Sequence, residues 1–284
     1  MINTFARHVL RPGKPWINWT HPLTNGLIGC WVPGLSGPID LTGQVLDLSQ
    51  KSSAGNILLT ITPEGPALNS LSNTGAGNAT YYGIAPPSLK TWSNLTMFWR
   101  GLVGPSTDPP SSNSTIFGIA YDNALDAPYQ VADIGMNASM QTFVDWNAGG
   151  TYMPGNSATP VAINTGTMNS IAATFPVGGT VTQYVNGVSV YSGTSFGSAP
   201  STSATSIISI GSYFITGGAT AATATAATLA CVWNRILSAN EIAFLDADPY
   251  CFLTWAEGEW PAIAIAVAAA AITKGSTLPI MGVG

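Results

Sequence analysis

Charge is what this 284-residue chain has least of: Asp, Glu, Lys and Arg make up 7% of it, against about a quarter in ordinary globular proteins. From Trp146 to Asn234 there is no Asp, Glu, Lys, Arg or His at all. A face built from that stretch stays in solution through Ser, Thr, Asn and Gly. Such faces give up their water easily, which favours packing against neighbours. The charges that exist are net negative, −5, with a pI near 4.7. Binding a phosphate backbone takes clustered Lys and Arg, and only Arg7, Arg11 and Lys14 lie close together. Nucleic acid is excluded as a partner.

Other absences narrow the class further. Three cysteines, an odd number, exclude a complete disulfide framework. Cys30 and Cys231 lie in apolar strand patterns and Cys251 follows Tyr250, so they read as small buried hydrophobes. The longest membrane-like run, Trp260 to Ile272, is too short to span a bilayer. Met1 to Pro15 carries charge and proline where a secretory signal has its apolar region. The expectation is a protein made in a cytoplasm that leaves it by assembling into something larger.

Catalytic signatures are missing as well. The four glutamates are Glu64, Glu241, Glu257 and Glu259; none belongs to an E-x-D-x-E strand, and glycoside hydrolysis needs at least two placed carboxylates. His8 and His21 stand without companions, and no G-x-S-x-G, P-loop or Cys/His cluster occurs. Asp122, Asp126, Asp133 and Asp145 are the one concentration of carboxylates. Ca²⁺ wants several oxygen ligands, and this spacing matches no loop motif, so solvated or turn-capping aspartates are the preferred reading and Ca²⁺ the only cofactor candidate. Trp16, Trp19, Tyr81, Tyr82, Trp92, Trp146 and Tyr152 could stack on sugars, but core or interface is the simpler role for aromatics in a β-protein. No residue is assigned as catalytic, cofactor-binding or metal-binding, and the chain is expected not to be an enzyme.

What is present is β-structure. Short apolar runs broken by Gly, Pro, Asn and Ser predict strands at Leu27–Val32 (stopped by Pro33-Gly34), 56–62, Asn94–Arg100, Thr115–Ala120, Gln130–Gly135, Gln141–Trp146, Ser170–Phe175 and Thr205–Tyr213. In Asn94–Arg100 one face carries Leu95, Met97 and Trp99, the other Thr96, Phe98 and Arg100. Asn186-Gly187 between β-branched runs predicts a hairpin with a type I′ turn. Thr216–Thr228, rich in Gly, Ala and Thr, reads as a loop or a plain edge. Leu229, Cys231 and Trp233 alternate as the apolar face of a half-buried strand. Ser238-Ala-Asn-Glu241 then forms a capping box for a short helix with Ile242 and Leu245 on its apolar face.

The pieces NGLIGCW, NLTMFWR, QYVNGVSV, IISIGSY and VWNRILSANEIAFLDADPY, in this order, resemble a concanavalin A-like, laminin-G-like jelly-roll domain of the kind encoded by tailed bacteriophages. The resemblance implies an all-β fold: a two-sheet antiparallel jelly-roll sandwich with one short C-terminal helix and extended N- and C-terminal arms. It covers residues 23–253, leaving 1–22 as an N-terminal arm and 254–284 as an apolar C-terminal arm. First and last strands often lie side by side in jelly rolls, which leaves a Cys30–Cys231 bridge open. The function expected is a non-enzymatic structural virion protein, a multi-copy capsid decoration or surface subunit that packs through its arms. Its partners would be other virion subunits and copies of itself, and its location the virion after synthesis in the host cytoplasm. The alternative is a glycan- or receptor-binding tail or fibre module, with cell-surface glycan as partner. A polysaccharide hydrolase is the remote third reading.

Overall fold

A computed structural model of the chain describes residues 15–34, 37–44, 48–51, 59–69, 80–84, 93–104, 114–120, 130–148, 151–153, 159–195, 207–215, 218–222 and 225–255. Within them the chain is strand after strand: β1 (Trp16–Ile17), β2 (Leu27–Gly34), β3 (Gly37–Asp40), β4 (Ser49–Lys51), β5 (Leu59–Thr62), β6 (Gly65–Asn69) and β7 (Thr80–Ile84). The middle holds β8 (Asn94–Val103), β9 (Ser114–Ala120), β10 (Gln130–Met136), β11 (Gln141–Ala148), β12 (Thr151–Met153), β13 (Val161–Ala162) and β14 (Met168–Pro176). Then come β15 (Thr180–Val185), β16 (Val188–Ser195), β17 (Ile207–Ile210), β18 (Ser212–Ile215), β19 (Gly218–Ala222) and β20 (Thr225–Trp233). The helix α1 (Ala239–Ala247) and β21 (Leu253–Thr254) close the order.

Two large antiparallel sheets face each other. One runs β12-β11-β10-β9-β17-β7-β4, with β13 also on β11. The other runs β16-β15-β14-β8-β20-β2-β3, with β6 on β20 and β5 on β6. Period-two alternation sorts the side chains. Trp31, Leu95, Met97, Trp99, Ala230 and Val232 meet Phe117, Ile119, Ile134, Val144 and Trp146 in the core between the sheets. The Trp31 ring stands edge-on to Phe117 across it, with centroids 6.0 Å apart. Gln183 Nε2 donates to Thr142 Oγ1 at 3.0 Å from one sheet to the other. This is the concanavalin A-like sandwich that the resemblance implied.

A third layer covers the other face of the nine-stranded sheet. Cys30, Phe98, Leu229, Cys231 and Trp233 point into a second cluster with Ile17, Leu23, Leu237, Ile242, Leu245, Phe252 and Leu253. β20 is therefore buried on both faces rather than half-buried. Its first residues, Thr225 to Thr228, run between β8 and β6 and are buried, where an edge or loop was expected. Small Ala and Thr side chains suit a strand enclosed on both faces. β2 likewise continues through Pro33-Gly34. Pro33 faces Pro38 at the end of the β2–β3 hairpin, past Trp31, where the pairing with β20 stops.

Local chemistry decides the turns. Asn186 and Gly187 have φ of 50° and 75°, the two positive values a type I′ turn requires. Ser238 accepts from the Glu241 N–H at 3.3 Å while Glu241 Oε2 accepts from the Ser238 N–H at 2.8 Å, so the capping box forms as expected. β1 pairs with β21, and Ile17 is buried in the outer layer. Residues 16–17 and 253–255 thus join the sandwich, although the sequence places 16–17 and 254–255 in arms. Residues 1–14 and 256–284 lie outside the described residues. Among the described residues no helix is long and apolar enough to cross a membrane.

Candidate functional site

One row of residues in register crosses the eight-stranded sheet. Cross-strand register aligns Ser49, Tyr82, Ser209, Gly118, Asp133 and Asp145 on six successive strands. Their flanking neighbours Ile208, Ile210, Phe117, Ile134 and Val144 all enter the core, so alternation turns Ser209, Asp133 and Asp145 outward. Asp133 and Asp145 stand directly opposite each other on β10 and β11. Facing residues of an antiparallel pair have Cβ atoms about 5 Å apart.

The row is a floor rather than an open surface. Asp133, Asp145 and Ser209 are 1%, 2% and 1% exposed. Thr115 Oγ1 donates to Asp133 Oδ2 at 2.9 Å. Thr115 leans over Gly118, where a Cβ would lie 2.7 Å from its methyl and 3.0 Å from the Asp133 Cβ, so only glycine fits between them. Phe143 adds an apolar element: its ring fills the space above Gly135. Among the described residues no hydrogen-bond partner reaches Asp133 Oδ1 or Ser209 Oγ. Buried polar atoms in native proteins are nearly always satisfied, so two orphans in one row mark a place shaped for something else.

Electrostatics agree. Burial, and then the charge of the facing Asp145, push the Asp133 carboxyl well above the usual carboxylate range, against the Thr115 hydrogen bond that pulls it down. Two carboxylates this close cannot both ionise cheaply, so Asp133 holds its proton at pH values where an exposed aspartate has lost it.

The opposite outer face is built from matched charges. The β5–β6 turn carries Glu64 to Arg100 on β8, whose Nε donates to both carboxylate oxygens at 3.0 and 3.1 Å, with Nη2 donating as well. Arg100 Nη1 reaches Asp246 of α1 at 3.4 Å. Tyr250 Oη donates to Glu64 at 3.2 Å and Ser170 Oγ to Asp246 at 2.6 Å. Nearby, Arg235 pairs with Glu241 at 2.7 Å. Those bonds, burial opposing them, hold the Glu241 carboxyl down to about 2. Every charge here has its partner, and the arrangement pins α1 to the sheet.

The remaining sequence candidates fall out separately. Tyr81 and Trp146 are core residues, not sugar platforms. Trp16 and Trp19 are 48% and 54% exposed, while Trp255 is partly buried, its ring edge-on to Tyr250. His21 caps a short 3₁₀ turn through Nδ1 and stacks on Phe244 of α1. Cys30 and Cys231 face each other with sulfurs 3.6 Å apart, and all three cysteines are free thiols. Tyr82 and Tyr152 lie on β7 and β12. Asp122, Asp126, Trp92, Glu257, Glu259 and His8 lie outside the described residues. Among those described, no group of three or more His, Cys, Asp or Glu is placed to hold a metal ion. Ser209, Gly118, Thr115 and Phe143 were not singled out from sequence; Ser209 in the IISIGSY strand was the available signal.

Comparison with known proteins sets these features in context. Residues 106–243 match the Laminin_G_3 model, described as the concanavalin A-like lectin/glucanases superfamily. No curated protein sequence matches the chain significantly. Its fold is similar to Trypanosoma rangeli sialidase in complex with sialic acid, with a TM-score of 0.55 at 16% identity over 80% of this chain and 33% of that one. The chain thus spans about a third of the length of that sialidase. It is also similar to domain 4 of AbnA, a GH43 extracellular arabinanase from Geobacillus stearothermophilus, in complex with arabinotriose (TM-score 0.56, 16% identity, 78% of this chain and 98% of that domain). A third similar structure is the binding domain of botulinum neurotoxin DC in complex with SialylT (TM-score 0.54, 11% identity, 79% and 52%). These likenesses correct the expectation that the chain is no enzyme: chains of similar fold include glycoside hydrolases, a sialidase and a GH43 arabinanase. A pair of carboxyls is also present, since Asp133 and Asp145, which sequence spacing left apart, face each other in the sheet. The fold of this chain is a concanavalin A-like antiparallel sandwich, one that carbohydrate-acting proteins also use.

Proposed function

We propose that this chain is a carbohydrate-binding module whose glycan site is the outward face of the eight-stranded sheet, over the Ser209–Gly118–Asp133–Asp145 row. The observation that carries the reading is the orphaned polar chemistry of that row, Asp133 Oδ1 and Ser209 Oγ, set into a fold shared with an arabinanase domain in complex with arabinotriose. A sugar offers hydroxyls that both donate and accept, which is the complement of an aspartic acid carboxyl beside a serine. Titration calorimetry of the purified chain with neutral and charged oligosaccharides tests the reading. Saturable binding that weakens at least about tenfold, or 1.4 kcal/mol, in Ser209→Ala supports it; no binding to any glycan overturns it.

The finer placement, a multi-copy subunit on a tailed-phage virion, belongs to the same proposal. It is supported by the scarcity of charge and by Trp16, Trp19 and Phe244 exposed on the outer layer, apolar surface that gains from burial against a neighbour. Labelled subunits imaged on intact particles test it: copies on head or tail support it, and their absence from particles refutes it.

A further inference from the structure

We propose that the open edge of β16, at the end of the nine-stranded sheet, pairs with the same edge of a second copy of this chain, joining two sheets about a twofold axis. The edge belongs to the sheet opposite the Asp133 row, so pairing there is independent of glycan binding.

An edge strand presents unpaired N–H and C=O groups, and proteins blunt such edges by keeping them short or by placing Pro or Lys on them. Among the described residues the other edge strands of the two large sheets follow that rule. β3, β4, β5, β12 and β13 are four residues long or shorter, with Pro38 in β3 and Lys51 in β4. β16 is eight residues long, and its sequence, VSVYSGTS, holds no Pro and no charge. Among the described residues its ladder partner is β15 alone. Val188 closes the Asn186-Gly187 turn as the hydrogen-bonded partner of Val185. Ser189, opposite Tyr184, is therefore a non-hydrogen-bonded position whose N–H and C=O point away from β15. Ser189 and Ser192 are exposed, and Val188 and Val190 are 65% and 37% exposed, so this part of the edge is open to solvent. Two register shifts in the ladder to β15 add twist, which limits a partner to part of the strand.

The main chain of an antiparallel edge is its own complement: about a twofold axis each N–H meets a C=O, and the same patch serves both sides. Charge points the same way. The chain carries a net charge of −5, and net charge of one sign opposes self-association. β16 lies inside the charge-free stretch from Trp146 to Asn234. Asp246, which lies beside Gly187 at the turn, is held by Arg100 and Ser170. Such an edge offers a basic or acidic partner nothing to recognise and a second copy nothing to repel it. Val188 and Val190 add apolar area that gains from burial. One strand is a small contact, so the dimer is expected to be reversible and concentration-dependent.

Sedimentation of the full chain over a concentration series reads the mass, and hydrogen exchange reads the edge. The expected result is a monomer that becomes a dimer as concentration rises, with the Ser189 amide exchanging more slowly in the dimer. Ser189→Lys with Ser192→Lys puts like charges on both sides of the contact and should weaken the dimer at least about tenfold. Ser189→Glu with Ser192→Glu should do the same. Both double variants change exposed side chains and should keep the parent's melting midpoint. Mixing the two should restore pairing, now between unlike copies. A wild-type chain that stays monomeric at every concentration overturns the proposal. So does an oligomer in which the Ser189 amide gains no protection, one that neither charged variant weakens, or a mixture of the two variants that does not pair.

Discussion

The two outer faces of the sandwich handle their charges in opposite ways. On the nine-stranded side, Arg100 lies between Glu64 and Asp246, and Tyr250 and Ser170 complete their hydrogen bonding. On the eight-stranded side, Asp133 and Asp145 face each other, with Asp133 Oδ1 and Ser209 Oγ left without partners among the described residues. Both sets are buried, so burial does not distinguish them. Satisfaction does: a buried network with every member matched stabilises one arrangement, whereas a half-satisfied one costs stability. A fold keeps the second kind where a ligand completes it, and the contrast separates scaffold from site.

Removing one side of the matched face should have the largest effect. Glu64→Ala leaves the Arg100 guanidinium buried beside Asp246 and removes one hydrogen bond of Tyr250. A loss of about 3–5 kcal/mol in chemical denaturation is expected. A value near zero would mean that this network contributes no more than a surface pair.

The same side can be clamped covalently. Cys30 donates its N–H to Asp40 and accepts from Leu41 at 2.8 Å, so its backbone bonds toward β3. Cys30 and Cys231 therefore form a non-hydrogen-bonded pair, the closer of the two antiparallel spacings and within disulfide reach. Refolding with oxidised glutathione should give a product two mass units lighter, about 2–4 kcal/mol more stable than the dithiol. A bridge found at Cys251 instead, by peptide mapping, would show the pairing to be wrong.

Gly187→Val tests how the hairpin meets that covered layer. The position has φ of 75°, and a Cβ there would lie 3.2 Å from both the Ala243 Cα and the Asp246 Cβ. Strain and crowding together should cost about 2 kcal/mol, visible as a lower melting midpoint. An unshifted midpoint would mean the turn can move away from α1.

On the unmatched face the sign should reverse. Asp133 has a folded-state value raised above its unfolded one. Its contribution is fully present below the unfolded value near 3.8 and is lost as pH rises through the folded value. Asp133→Asn, which keeps the shape, is expected to stabilise the protein by about 1 kcal/mol at neutral pH and by nothing below about pH 3.8. Destabilisation at neutral pH would contradict the facing-carboxylate picture.

Ser238→Ala should have the smallest effect, about 1 kcal/mol for a lost N-cap. Glu241 is depressed to about 2, so the stabilisation its bonds supply is present above its ordinary value of 4.5 and is lost as pH falls toward 2. The difference between wild type and Ser238→Ala should narrow across that acid range. A difference independent of pH would assign the cap to the serine hydroxyl alone.

What the amino-acid sequence determined by itself is the local physics. Alternation sorted Leu95, Met97 and Trp99 from Thr96, Phe98 and Arg100, and the structure sends the first three to the inter-sheet core and the others to the outer layer. The Asn186-Gly187 turn and the Ser238–Glu241 cap were equally legible, because each is settled by residues a few positions apart. The register between distant strands was not. Nothing near Asp133 announces that Asp145 will face it, or that Ser209 will join the same row two strands away. Arg100 finds Glu64 and Asp246 from opposite sides in the sequence. β20 illustrates the same limit: its Ala- and Thr-rich start looks like a loop until β8 and β6 enclose it. Side-chain direction follows from a two-residue period, but which strands become neighbours is a property of the whole sheet, and both outer faces are made by that choice.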